Sequence, residues 1–209
     1  MGEVISRSLA RLYDFQHSDG GWGWWKEGAS EHFMTGYVVW GLQLADDAGI
    51  EVRRDVVRRA ATYLDREIVE AESDLDLQAW MLHALAYHRQ SSGTSHTTLE
   101  EGAFDNMWRS RERLNAYGRA LLAMSAHFMG KGREASVLVE NLENGAILDG
   151  NPSTSTFARS GSSATGSGLL ATAHWGDDGV RWHWAQGGVE ATSFVLTAFL
   201  LIDPENPPG

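Results

Sequence analysis

The sequence predicts an all-α protein, built as a ring or solenoid of helical hairpins. Three observations carry this. Apolar residues recur at helical spacing through most of the chain. Helices that are apolar on every side alternate with helices apolar along one stripe. Similar stretches also return at a step of about 40 residues, the scale of a two-helix repeat.

The elements follow in order. Residues 3–16 place Val4, Ile5, Leu9, Leu12 and Tyr13 on one face. Residues 32–48 are apolar almost all round at "YVVWGLQLA", whereas residues 51–70 carry a narrow apolar stripe and a charged back. Residues 74–89 are apolar again, residues 98–108 are short and mixed, and residues 113–130 read as a buried helix. Residues 133–147 are amphipathic and residues 188–202 mostly apolar. Helices of the first kind belong inside and the others outside. Aligning the inner stretches from Thr35, Gln78, Tyr117 and Thr192 brings small residues into register at Gly41, Ala84, Ala123 and Ala198. A large apolar residue follows each: Leu42, Leu85, Met124 and Phe199. Small residues at these points would let inner helices approach closely.

The last step of the repeat is double and contains an irregular segment. Residues 149–172 are rich in Gly, Ser and Thr and read as a mobile surface loop. Asp178-Gly179 is a hairpin-turn dipeptide, and Val180, Trp182 and Trp184 alternate with Arg181 and His183. A small β-hairpin near 173–185, with its tryptophan face on the helices, is expected as the only sheet.

Composition limits the function. A formal net charge of −11 argues against nucleic acid and against an anionic membrane surface. The absence of cysteine removes disulfides, thiolate zinc sites and a cysteine nucleophile. No apolar run approaches the ~18 residues of a membrane span. The opening "MGEVISRSLARL" is amphipathic without a signal-peptide core, as expected of a piece of a longer protein.

Few residues invite a chemical reading. His174 and His183 flank Asp177 and Asp178, but the spacing matches no ligand pattern, and polar hairpin residues are the better account. The acidic pair of "DLDL", Asp74 to Leu77, sits where a helix cap belongs, and acidic side chains there answer the helix dipole. Glu190, in the first turn of the last helix, reads the same way. His83 lies within an apolar helix and is expected to be a satisfied core histidine. No nucleophile elbow, phosphate loop or dinucleotide fingerprint occurs. No cofactor, metal site or catalytic residue is expected, and the chain is not read as an enzyme.

The stretch "QHSDGGWGWW", Gln16 to Trp25, holds three of the nine tryptophans. Asp19, Gly20 and Gly21 suit a tight reversal after a helix. Trp22, Trp24 and Trp25 are then expected to pack into the seam between helices, with the Gln16 amide binding free backbone groups at a neighbouring helix end.

This stretch resembles the Gln-Trp repeat motifs of the α/α-toroid proteins: terpene cyclases, prenyltransferase β subunits, and the thioester-containing domain of the α2-macroglobulin and complement family. Residues 33–52, 114–142 and 182–207 are similar to stretches of the last group, in matching order, and the bacterial α2-macroglobulin-like proteins are the nearest in wording. The resemblance implies a single α/α-toroid domain, an incomplete ring, over residues 1–209 of a larger multidomain protein. The matched motif positions, read as structural, are Gln16, Asp19, Gly20, Gly21, Trp22, Thr35, Tyr37, Glu190, Ala191 and Thr192. It also implies partners: proteases or cell-surface proteins met through the parent, and other domains of the same chain. The implied location is extracytoplasmic, whether periplasmic, cell-surface or secreted. In the family, a Cys-Gly-Glu-Gln motif holds an internal thioester that proteolysis exposes. This chain has no cysteine and cannot form it. Complement members also carry a catalytic histidine in a loop for which residues 69–74, "VEAESD", offer no counterpart. The implied role is therefore a non-catalytic contribution to protease trapping. A toroid enzyme of the terpene cyclase, prenyltransferase or polysaccharide-acting type is the alternative, although the Asp-x-Asp-Asp acid and the cysteine zinc ligand are both missing.

Overall fold

Helices apolar on all sides need other helices around them, and that requirement sets the layering. The computed structural model describes residues 2–149, 172–176 and 188–205. Within them run α1 (Gly2–Asp14), α2 (His32–Asp47), α3 (Arg54–Glu67), α4 (Leu75–Ser92), α5 (Thr98–Arg109), α6 (Ala116–Phe128), α7 (Gly132–Asn144) and α8 (Gly188–Ile202). α2, α4, α6 and α8 form an inner row in which each packs on the next. α3, α5 and α7 lie behind it: α3 on α2 and α4, α5 chiefly on α4, and α7 on α6 and α8. The alternation of fully apolar and half-polar helices thus becomes an inner and an outer layer, an incomplete α/α toroid. α4 and α6 supply the centre of the core, with Trp80, Met81, Leu82, Leu85, Leu121, Leu122 and Met124 all buried. α1 contributes no fully buried residue.

The starts of α4, α5 and α6 are set by side chains that satisfy orphan amides. Asp74 caps α4 by accepting from the Leu77 amide at 3.1 Å. Asn115 caps α6 by accepting from Gly118 at 2.8 Å, so α6 begins after the short turn Arg111–Arg113. Thr97 and Glu100 form a capping box on α5.

Three of the four expected small residues sit where helices meet: Ala84, Ala123 and Ala198 are fully buried. Gly41 is the exception. It is exposed, and a Cβ there would meet nothing within 4 Å. The close approach of α2 to α4 occurs instead at Gly36, where a Cβ would lie 2.9 Å from Trp80 Nε1. The period was legible, but which small residue on α2 faces its neighbour depends on helix rotation.

The small sheet pairs β1 (Ile147–Asp149) with β2 (Thr172–His174), antiparallel, with Ile147 opposite His174. Residues 172–174 therefore pair with the chain just after α7. The turn expected at Asp178-Gly179, with Trp182 and Trp184, lies outside the described residues. So do residues 150–171, nearly all of the Gly/Ser-rich segment.

One buried charge ties α4 to α5. Glu100 is fully buried and accepts from Arg89 Nε at 2.8 Å and from His96 Nδ1 at 3.0 Å. Removing one partner of such a group leaves a buried charge uncompensated. Arg89→Met is expected to cost about 3 kcal/mol, whereas Arg66→Met, which breaks an exposed pair with Glu67, costs less than about 1 kcal/mol. Urea unfolding of both variants checks this, and equal midpoints would contradict it.

Gly20 and Gly49 provide a second contrast. Both have positive φ, 98° and 81°. A Cβ at Gly20 would sit 2.6 Å from the Arg59 carbonyl oxygen, while one at Gly49 meets nothing. Gly49→Ala is expected to cost about 1 kcal/mol and Gly20→Ala more than about 2 kcal/mol, read from the same unfolding curves.

Candidate functional site

The reversal between α1 and α2 is held by a set of hydrogen bonds centred on Gln16, Asp19 and Trp22. The Gln16 side-chain amide donates to the carbonyls of Gly20 and Val56, both at 2.9 Å, and its oxygen accepts from Arg59. Gln16 thus joins the reversal to the first turn of α3. Asp19 Oδ1 accepts from the Gly21 amide at 3.0 Å and from Ser30 Oγ at 2.8 Å. These bonds hold the Asp19 carboxyl below its usual range, although burial, the largest single influence, acts the other way. A Cβ at Gly21 would collide with Ser30 at 2.6 Å.

Trp22 is buried and braces two helices. Its indole Nε1 donates to the Leu12 carbonyl at 2.9 Å, near the end of α1. Its amide donates to Thr35 Oγ1 at 2.9 Å, and that hydroxyl donates back to the Trp22 carbonyl at 3.2 Å. Thr35 is fully buried in α2. Trp24 and Trp25, expected in the same seam, are 60% and 77% exposed.

The same brace recurs at the far end of the chain. Trp175 is buried, and its Nε1 donates to the Leu142 carbonyl at 2.7 Å, near the end of α7. Its amide donates to Thr192 Oγ1 at 3.0 Å, and Thr192 donates back to the Trp175 carbonyl at 3.3 Å. Ala191, the neighbour of Thr192 in α8, is buried. Sequence reading placed Thr35 and Thr192 in register but missed Trp175. The signal was the tryptophan that precedes each threonine by one reversal.

Tyr37 and Glu190, the two remaining motif positions, stand at a different feature. A cleft of about 540 Å³ lies along the inner faces of α2, α4, α6 and α8. Tyr37, Trp40, His83, Tyr87, Phe128 and Phe194 line it with aromatic rings, and Glu190 stands in its wall. Phe194 is the hub. Its ring centroid lies 6.0 Å from Trp40, 6.0 Å from Trp80 and 5.4 Å from Tyr117. It thus links α8 to α2, α4 and α6 at once. The inner-helix aromatics repeat at one- and two-turn spacing, such as Tyr37 and Trp40, or Trp80, His83 and Tyr87. That spacing was the available sign of the cleft.

Burial dominates the electrostatics here. It raises the Glu190 carboxyl above its ordinary range. It pushes Tyr87 up to about 12, with the hydrogen bond to Asp47 acting in the same direction. Tyr117 is also raised, by burial first and then by Glu190. His83 departs from expectation: it is buried, but its Nδ1 has no partner among the described residues. Burial lowers its pKa to about 4 and keeps the ring neutral. Ser193 Oγ and Thr197 Oγ1 donate to backbone carbonyls of their own helix, at 2.7 and 2.8 Å. Neither is paired with a base, so the cleft is suited to binding an apolar body and offers no nucleophile–base pair among the described residues.

Asp76 of the "DLDL" stretch accepts from Asn115 Nδ2 at 3.0 Å, and burial raises its pKa. His32, Glu67 and Glu70 place candidate ligand atoms within 4.8 Å of one another. Arg66 already engages Glu67 at 2.6 Å, and Tyr63 contacts His32 Nδ1 at 3.0 Å. His183, Asp177 and Asp178 lie outside the described residues.

His83 gives a pH prediction. The unfolded chain binds a proton at its ordinary pKa of 6.5, while the folded chain resists until about 4. Stability therefore falls as pH drops through that window, by on the order of 3 kcal/mol in total. His83→Phe is expected to flatten the loss between about pH 7 and about pH 5 in urea midpoints. A variant that loses as much as the parent would contradict the assignment.

No family model matches the chain. A stretch of 62 residues is 48% identical to the α-2-macroglobulin of Thermotoga maritima, covering 30% of this chain and 4% of that protein. In structure, the chain is similar to native α-2-macroglobulin of Escherichia coli, in a crystal structure spanning domain MG7 to the C-terminus. The TM-score is 0.57 at 20% identity, over 68% of this chain and 23% of that one. It is likewise similar to trypsin-activated α-2-macroglobulin of Escherichia coli, with a TM-score of 0.54 at 21% identity, over 65% of this chain and 10% of that one. At such identities the structural likeness is one of fold. The chain spans a small part of each of these proteins.

Proposed function

We propose that this α2-macroglobulin-family domain, an incomplete α/α toroid, is a thioester-domain-like module of a bacterial α2-macroglobulin-like protein. In this reading it contributes to protease trapping and is not itself catalytic. The observation that carries the reading is the stretch 48% identical to the Thermotoga maritima α-2-macroglobulin. The fold shared with the Escherichia coli α-2-macroglobulin, one structure of which is trypsin-activated, supports it. The absence of cysteine leaves a role in packing and conformational change rather than acyl transfer. The Trp22–Thr35 and Trp175–Thr192 braces suit that role, because each ties the end of one helix to an inner helix, so that the two move together against neighbouring domains. Gln16, Asp19, Gly20 and Gly21 serve as the structural frame of the first reversal. The partners in this reading are proteases and the other domains of the parent, outside the cytoplasm.

Trapping has a specific kinetic signature. Trypsin incubated with the full-length parent protein is expected to keep its activity on a small amide substrate while losing it on a large protein substrate. Equal loss on both substrates, or loss on neither, would overturn the trapping role.

A further inference from the structure

We propose that the cleft between α2 and α8 binds a small organic cation with an apolar body, of the arylalkylammonium class. The inference stands apart from any part the module plays in trapping. Two features of the wall point to it.

The first is shape and apolarity. A cleft of about 540 Å³ falls within the usual size range of small-molecule sites. Tyr37 and Trp40 on one side face Phe194 on the other, and Tyr87 and Phe128 extend the aromatic wall. Tyr37 stays 53% exposed at the rim, so a guest can enter without unfolding the core. Aromatic faces attract cations through their quadrupole, most strongly where water is excluded.

The second is the sign of the charge. Among the described residues, Glu190 is the one carboxylate in the wall, and no Lys or Arg lines it. His83 cannot supply a positive charge near neutral pH, because its buried ring stays neutral. A neutral guest would leave the half-buried Glu190 carboxylate without compensation, and an anionic guest would oppose it. A monocation pairs with it.

The test is a titration of the chain followed by calorimetry and tryptophan fluorescence. The probes are phenethylammonium, its neutral isostere propylbenzene, and the anion 3-phenylpropionate. Phenethylammonium is expected to bind saturably and to quench fluorescence. Propylbenzene and the anion are expected to bind about tenfold more weakly or worse. Glu190→Gln, with its helix content confirmed by circular dichroism, is expected to bring the cation down to the affinity of propylbenzene. Trp40→Phe provides an independent arm: it keeps an aromatic wall but removes a tryptophan reporter, so quenching falls while calorimetric binding persists. Absence of saturable binding at millimolar cation would overturn the proposal. So would equal binding of the cation and propylbenzene, or cation binding unchanged in Glu190→Gln.

Discussion

The structure depends on how the ends of α1 and α7 are tied to the inner helices α2 and α8. A helix leaves its last carbonyls without intrahelical partners, and an apolar interior cannot hydrate them. Here two donors share one such carbonyl at each end: the Leu12 carbonyl accepts the Phe15 amide at 3.2 Å and the Trp22 indole, and the Leu142 carbonyl accepts the Gly145 amide at 3.1 Å and the Trp175 indole. The same tryptophan exchanges two backbone bonds with a threonine on the next inner helix. One residue thereby ties the end of one helix to the first turns of an inner helix. Because both braces obey the same geometry, α2 and α8 are presented to the interior in the same register. Tyr37 and Phe194, each two residues beyond its threonine, reach the same aromatic cluster as a result.

That register explains the aromatic hub. Phe194 touches rings from three other inner helices, a contact made only if all four helices sit at matched heights. The hub fills the middle of the inner row at one level. Beyond it the inner faces of α2 and α8 are left apart, and the cleft is the space that remains. Its wall inherits the apolar character of the inner helices, so the ionisable groups within it, His83 and Glu190, are shifted chiefly by loss of water.

The polar network around Gln16 works on the outer side of the same reversal. Gln16 bonds to α3 while Trp22 bonds to α1 and α2. The motif therefore joins three helices with few residues. Gly20 is required because the Arg59 backbone occupies the place a Cβ would take. These contacts are all local to the fold and involve no group set up for chemistry, in keeping with a framework role.

The amino-acid sequence by itself determined the helices, their inner or outer character, and the reversal at Asp19-Gly20-Gly21. Periodicity, capping residues such as Asp74 and Asn115, and turn glycines act over a few residues, so they are legible along the chain. Tertiary structure decided what depends on helix rotation and on contacts far apart in sequence. It chose Trp22 for the seam, where its indole reaches the Leu12 carbonyl, and left Trp24 and Trp25 in solvent. It put Gly36 rather than Gly41 against α4. It isolated His83 Nδ1 in an aromatic wall where a satisfied core histidine was expected. Hydrophobic pattern tells a residue to be inside, but not which partner waits there, and the cleft with Glu190 in its wall is a product of those partners.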